Sequence, residues 1–364
     1  MARGDVRQAA SLLEVAAQRG RDAATLLRLA TVRRSLGDYH GALKAASLGV
    51  ELSPRNFLMC LLLGSLREAV GAVHGAERAY RQAIAHVPFD LRFQPAMAKQ
   101  VDWAKRRVSA ADEWRSRLLE WDPSDSAMEL SGAEAERMRR FRANMLENED
   151  GGPLVPPAFV IPDIRSKRYF EPSQFTGVSE IERQTGAIRA EFMALANARS
   201  DTLGKRLNGL YAPEDAGREG AWSMIPLIRN GSVVEEYASL CPQTMAAARL
   251  LDLPSLGLIS PSLYFSVLEP NSRIEPHTGI TNARLIAHFP LVVPEGCGFR
   301  VGGESRQWEP GKALIFDDMT EHDAWNDSAR ARVVLIADLW RPELGAAERA
   351  AVSYLMQCRD VAAA

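Results

Sequence analysis

Two histidines set in short turn-flanked motifs carry the most chemical information in this chain: His277, within Pro276-His277-Thr278-Gly279, and His322, within Glu321-His322-Asp323. Each falls where a predicted strand ends or begins beside turn residues, so one metal ion held by both rings would explain the layout. Only His277, His288 and His322 lie beyond residue 86, so imidazole ligands for a redox metal in that part are few. Such metals are commonly held by two histidines and one carboxylate, with open positions left for reactants. The carboxylate usually sits two residues after the first histidine, and here that position is Gly279, which has no side chain. Either the site is broken or water takes the carboxylate's place. Glu275, two residues before His277 on the same strand face, is another possible ligand. A redox-inert zinc would want three or four protein ligands, and two satisfied core histidines are the bland alternative.

The stretches that must position these residues alternate as strands do. In Ser262 to Leu268, residues Ser262, Tyr264 and Ser266 share one face while Leu263, Phe265 and Val267 share the other. By the same period of two, Arg284, Ile286 and His288 line one face of a strand from Arg284 to Val293. Glu309-Pro310-Gly311 is a turn signal ahead of Lys312 to Phe316, because proline presets φ and glycine accepts a positive φ. Arg330 to Trp340 is a long apolar strand with Arg332 as its inner charge. Short strands between Pro/Gly turns predict a jelly roll or barrel.

The run from His277 to Arg284, then Gly311-Lys-Ala-Leu-Ile-Phe-Asp-Asp318, His322 and Trp340-Arg-Pro-Glu-Leu344, resembles the aspartyl/asparaginyl β-hydroxylases, Fe(II)- and 2-oxoglutarate-dependent oxygenases. The match is close over 258–344 and weaker back to about Arg165. It implies a double-stranded β-helix (jelly-roll, cupin-like) catalytic domain with flanking helices that hydroxylates an unactivated C–H using Fe(II), 2-oxoglutarate and O2. The expected target is the β-carbon of an Asp, Asn or similar residue in a peptide or protein; a free or carrier-bound amino acid is the alternative, and a lipid ranks last. By the same resemblance, His277 and His322 hold the iron, and Gly279 matches a family pattern with two histidine ligands. Arg332 takes the far carboxylate of 2-oxoglutarate with Ser266 as its hydroxyl partner, and His288 hydrogen-bonds near the metal-bound carboxylate. Arg284 belongs to the substrate side. In the resembling family a tryptophan near the strand Trp222 to Ile228 lines the co-substrate pocket, a role open to Trp222, for which a buried core aromatic is the plainer reading. Members acting on aspartyl residues often carry a second arginine where this chain has Ile286, which weakens the case for an aspartate target. Arg332 as a surface charge on an edge strand and Ser266 as a small filler are the plainer readings. Asp317, Asp318, Glu321 and Asp323 either orient His322 or face water.

Residues 1–123 read as paired helices with an internal repeat. Gly37-Asp38-Tyr39, Ala42, Gly49 and Pro54 recur as Gly71, Ala76, Ala83 and Pro88, with the prolines 34 residues apart. That period resembles the tetratricopeptide pattern. A third unit ends at Pro123, with Ala110 and Trp114 in the corresponding places, and Arg7 to Arg19 reads as a capping helix. Stacked units form a concave groove, expected either to bind a peptide or protein substrate or to serve as a scaffold only. His40, His74 and His86 read as surface or packing residues. Residues 124–162 form a linker of one charged helix, Ala133 to Asn148, followed by a Gly/Pro-rich segment. Residues 163–364 form the oxygenase-like domain, with its core at 222–344 and an amphipathic helix from Ser179 to Asn197. A non-catalytic repeat scaffold with a degenerate β domain is the reading from a different class.

The 364 residues suffice for two domains, and the formal net charge of −2 conceals an asymmetry. Residues 1–121 hold 19 Lys and Arg against 12 Asp and Glu, a net +7, leaving −9 for the rest. No basic tract is dense enough to suggest nucleic acid. Cys60, Cys241, Cys297 and Cys358 are widely spaced without a CxxC, so no disulfide framework is indicated. The longest apolar run, Phe57 to Leu63, falls far short of the roughly 20 residues that span a bilayer. With no signal-peptide layout at the start, a soluble cytoplasmic protein is expected.

Overall fold

The computed structural model describes residues 3–20, 22–70, 73–88, 95–123, 129–147, 159–198 and 222–360. Two compact units emerge, one mainly of residues 1–121 and one mainly of residues 159–357.

The first unit is helical: α1 Arg3–Arg19, α2 Ala23–Ser35, α3 Tyr39–Leu52, α4 Phe57–Ala69, α5 Val73–Ile84 and α6 Pro95–Glu120, each packed on the next. Asp22, Asp38 and Asn56 start α2, α3 and α4 by accepting backbone N–H groups of Thr25, Gly41 and Met59. Each cap satisfies a donor that has no partner within its helix. Small residues sit where helices approach. A Cβ on Gly49 would come within 2.3 Å of Met59 Cε, and one on Gly64 within 2.5 Å of the Tyr80 ring. The third predicted unit departs from the pattern, because α6 is a single helix of 26 residues. Nothing between Val101 and Ala111 breaks it: that stretch has no glycine or proline, whereas Gly37 at φ +82° separates α2 from α3. Gly71 and most of the Gly/Pro-rich linker lie outside the described residues. The linker helix runs Gly132–Glu147.

The second unit is built on two antiparallel sheets. Its strands are β1 Tyr169–Phe170, β2 Trp222–Arg229, β3 Ser232–Val233, β4 Leu263–Leu268, β5 Ser272–His277, β6 Arg284–Val292, β7 Cys297–Val301, β8 Glu304–Arg306, β9 Leu314–Phe316, β10 His322–Asn326 and β11 Arg332–Trp340. The larger sheet has the order β1-β9-β6-β11-β4-β2-β3 and the smaller β5-β10-β7-β8. From β4 to β7 each strand crosses to the other sheet, and β9, β10 and β11 alternate likewise, which is the jelly-roll winding. Side-chain alternation then divides two cores. Leu285, Ala287 and Phe289 of β6, with Phe265 of β4 and Leu335 of β11, pack beneath Ile188, Phe192 and Leu195 of the helix Thr185–Ala198. Ile286, Val334, Ile336, Phe299, Phe316 and Trp308 fill a second core. Burying an aromatic such as Phe265 or Phe289 contributes about 2–3 kcal/mol relative to leaving it exposed. Among the described residues no helix is long and apolar enough to cross a membrane.

Candidate active site

β5 ends on His277 and β10 begins on His322, and the two are direct partners across the β5–β10 ladder. Their ring centroids lie 4.1 Å apart. His277 Nδ1 is 2.8 Å from the carbonyl oxygen of Glu275, and His322 Nδ1 is 3.0 Å from that of Thr320. A carbonyl only accepts, so each Nδ1 carries the ring proton and each Nε2 keeps its lone pair. Burial, with His277 beside it, pulls the His322 pKa down to about 3, so that ring is neutral as a ligand must be. Glu275 serves this arrangement through its backbone, and its side chain is exposed. Among the described residues no cluster of three or more His, Cys, Asp or Glu is placed to hold a metal.

Asp318, from the loop after β9, packs against Gly279. A Cβ on Gly279 would come within 2.3 Å of Asp318 Oδ2 and 2.4 Å of Asp318 Cγ. Of the four acidic residues near His322, Asp318 alone lines the cavity without a full set of partners. It is buried and faces Arg284 Nη2 at 3.2 Å, yet its Oδ1 has no hydrogen-bond partner. Burial pushes its pKa up to about 6 against the pull of Arg284. Asp317 instead pairs with buried Arg341 at 2.9 Å, Asp323 pairs with Arg300 at 2.7 Å, and Glu321 is exposed.

A cavity of about 300 Å³ runs from this pair, and Trp222, Ser266, Arg284, Ile286, His288 and Arg332 all border it. Arg332 is only 1% exposed, on a strand flanked by β6 and β4, so the surface-charge reading is set aside. Its Nη1 donates to Ser266 Oγ at 3.1 Å. Among the described residues no carboxylate faces it, and its Nε is unpartnered. Burial draws its pKa down to about 10, with Cys297 and Tyr264 partly offsetting this. Ser266 Oγ also accepts Trp222 Nε1–H at 2.9 Å. With two donors arriving, its own proton is available to the cavity. Trp222 thus lines the cavity and is also buried. His288 is buried among Phe299, Phe316 and Trp308, and burial followed by Arg332 and His322 takes its pKa well below the ordinary range.

Arg284 borders the cavity but is not a free cation, because Asp338 Oδ1 lies 2.9 Å from its Nη1 and Asp318 is its second partner. Burial alone would depress it, and the two carboxylates more than offset that, so its pKa is raised. Asp338 escaped the sequence reading although a signal existed: it shares the even-numbered face of β11 with Arg332. Trp308 sits in the loop between β8 and β9, outside any periodic pattern, and no sequence signal marked it.

These contacts put an imidazole pair, a buried unpaired guanidinium and a hydroxyl donor around one jelly-roll cavity. A sequence model of the family described as aspartyl/asparaginyl beta-hydroxylase matches residues 182–342. That stretch belongs to the aspartyl/asparaginyl beta-hydroxylase family. The hydroxylase-family stretch contains every cavity residue named above. The aspartyl/asparaginyl beta-hydroxylase of Homo sapiens is 27% identical over 348 residues, which is 90% of this chain and 44% of that protein. Aspartate beta-hydroxylase domain-containing protein 2 of Rattus norvegicus is 32% identical over 207 residues, 55% of this chain and 58% of that protein. An ornithine lipid ester-linked acyl 2-hydroxylase of Rhizobium tropici is 32% identical over 176 residues, 48% of this chain and 60% of that protein. The chain thus spans about half the length of the curated relatives it matches. Among solved structures, a Pseudomonas putida prolyl-4-hydroxylase aligns over 45% of this chain and 98% of its own at 16% identity and a TM-score of 0.27. The fold assignment rests on strand order, not on that superposition.

Proposed function

We propose that the chain is an Fe(II)- and 2-oxoglutarate-dependent hydroxylase acting on an uncharged amino-acid side chain, an asparaginyl residue before an aspartyl one, in a peptide or protein. The observation that carries this reading is Arg332, a buried cation without an anion, bordering the same cavity as two imidazole Nε2 lone pairs. A buried charge left unpaired is costly, and a ligand carboxylate would offset that cost. Arginine suits the task because its planar fork donates two parallel hydrogen bonds and keeps its charge when desolvated.

Iron held by His277 and His322 would couple oxygen activation to the oxidative decarboxylation of 2-oxoglutarate, the chemistry that reaches an unactivated C–H. The chain's own residues bind, orient and exclude water. Arg332 and the Ser266 hydroxyl grip the far carboxylate, and His288 offers a donor to the near one. Phe299 and Phe316, whose ring centroids lie 6.1 and 5.1 Å from that of His322, keep that side dry. On the substrate side Arg284 is matched by Asp318 and Asp338, leaving a net charge of about −1 beside apolar Ile286. An incoming carboxylate would find no uncompensated cation there, whereas a carboxamide adds no charge.

The helical unit we take as tetratricopeptide-like, with 1–123 as repeats, 124–162 as linker and 163–364 as the catalytic domain. Its hollow of about 460 Å³, bordered by Arg34, Leu61, Tyr80, Lys99 and Trp103, would receive peptide substrate. The test supplies Fe(II), 2-oxoglutarate and oxygen with matched Asn and Asp peptides, reading succinate and a product one oxygen heavier. Hydroxylated Asn peptide is expected. No 2-oxoglutarate consumption with any peptide sinks the enzyme reading, and preferential hydroxylation of the Asp peptide sinks the substrate reading.

A further inference from the structure

We propose that Trp308 is a positioning residue that fixes which nitrogen of His288 carries the proton and braces Arg332, so that one indole prepares both groups facing the co-substrate. Trp308 is 4% exposed and does not itself border the cavity. Its Nε1 lies 3.1 Å from His288 Nδ1. An indole N–H only donates, so His288 Nδ1 accepts and the proton of the neutral ring sits on Nε2. Among the described residues Nε2 has no protein hydrogen bond, and His288 borders the cavity. The cavity therefore meets an N–H donor there.

The contrast with the metal pair is one of partners, not of residue type. His277 and His322 present Nδ1 to carbonyl acceptors and so keep the Nε2 lone pair, whereas His288 presents Nδ1 to a donor and so loses it. Three imidazoles border one cavity, yet only two present Nε2 as a lone pair. The third can only donate, which suits an anion and prevents its use as an extra metal ligand. The same indole underlies the guanidinium: Arg332 Cζ lies 4.7 Å from the Trp308 ring centroid, and Phe299 stacks on that ring at 5.4 Å and 25°. Cation–π contact of this kind holds a desolvated arginine without supplying a competing anion. The tautomer follows from geometry alone, while its consequence for 2-oxoglutarate rests on the proposed function.

Nitrogen-15 NMR of histidine-labelled, metal-free wild-type protein reads the tautomer directly, with His288 assigned through His288→Gln. His288 protonated on Nε2, and His277 and His322 protonated on Nδ1, is the expected pattern. Trp308→Phe keeps a smaller aromatic ring under Arg332 and removes the N–H. It should yield mixed tautomers at His288 and raise the KM for 2-oxoglutarate about tenfold while kcat changes less than threefold. Finding His288 protonated on Nδ1 in the wild type overturns the inference. So does a Trp308→Phe enzyme with an unchanged tautomer and a KM within twofold of wild type. A protein with the expected tautomers that never consumes 2-oxoglutarate would sink the proposed function and leave the indole's role standing.

Discussion

With Nδ1 held by a backbone carbonyl, each of His277 and His322 can offer a metal only Nε2, and Gly279 lets Asp318 pack directly against its backbone. A methyl group at residue 279 has nowhere to go. Gly279→Ala should destabilise the fold by about 1–3 kcal/mol through overpacking against Asp318 and weaken iron binding about tenfold. Wild-type affinity in that variant would contradict the placement of Asp318. Arg332 presents the opposite balance, a buried cation without a carboxylate partner among the described residues, whose burial weighs against the empty fold. Arg332→Met should abolish 2-oxoglutarate binding, leave metal binding intact and raise the stability of the apo protein by about 1 kcal/mol. Calorimetry and chemical denaturation check both halves; a marked loss of stability would mean that Ser266 and Trp308 satisfy the guanidinium fully. At this scale the sequence was informative wherever period two applied. Ser266, Arg284, Ile286, His288 and Arg332 all border the cavity because alternate residues of a strand share a face. What period two could not reveal was pairing across strands: Arg284 read as a substrate-side residue, and its pairing with Asp318 and Asp338 had no signal in the alternation. Trp308 lies in a loop, where position depends on the whole fold.

Among elements, β10 bears the greatest burden, because it lies between β5 and β7 and begins on His322. Its neighbour β7 makes room for it at Gly298, which sits opposite Trp325, where a Cβ would come within 2.1 Å of the indole. Gly298→Val should lower stability by about 2–3 kcal/mol through overpacking and disturb iron binding through β10. A loss under about 0.5 kcal/mol on urea denaturation would mean the Trp325 ring has somewhere to turn. The apolar strands β4, β6 and β11 were legible to within two residues, since burial enforces their alternation. Strands β7 and β8 of the smaller sheet were not, being short and charge-bearing, with a glycine inside β7. The helix predicted over Ser179 to Asn197 is two helices, Val178–Arg183 and Thr185–Ala198. The Thr185 hydroxyl bonds the carbonyls of Ile181 and Glu182, and such side-chain bonds compete with helical ones.

For the molecule as a whole, acid stability follows from buried groups rather than from the net charge of −2. His288 and His322 are neutral in the fold, the latter down to about pH 3, while the unfolded chain protonates them near 6.5. Their contribution is complete above about 6.5 and is lost as pH falls below it. Asp318 acts in the opposite sense, since its folded carboxyl protonates near 6 and its unfolded one near 3.8, so it adds stability on acidification within that window. Two groups outweigh one, and metal-free protein should lose roughly 2 kcal/mol between pH 7.5 and pH 5; a rise in urea midpoint over that interval would contradict the burial of the two rings. The convergence of His277 and His322 on one ion is tested most directly by equilibrium dialysis against Fe(II) without oxygen, comparing wild type with His277→Ala and His322→Ala. One iron per wild-type chain and none retained by either variant is the expected result. Iron held at wild-type stoichiometry by both variants would contradict it.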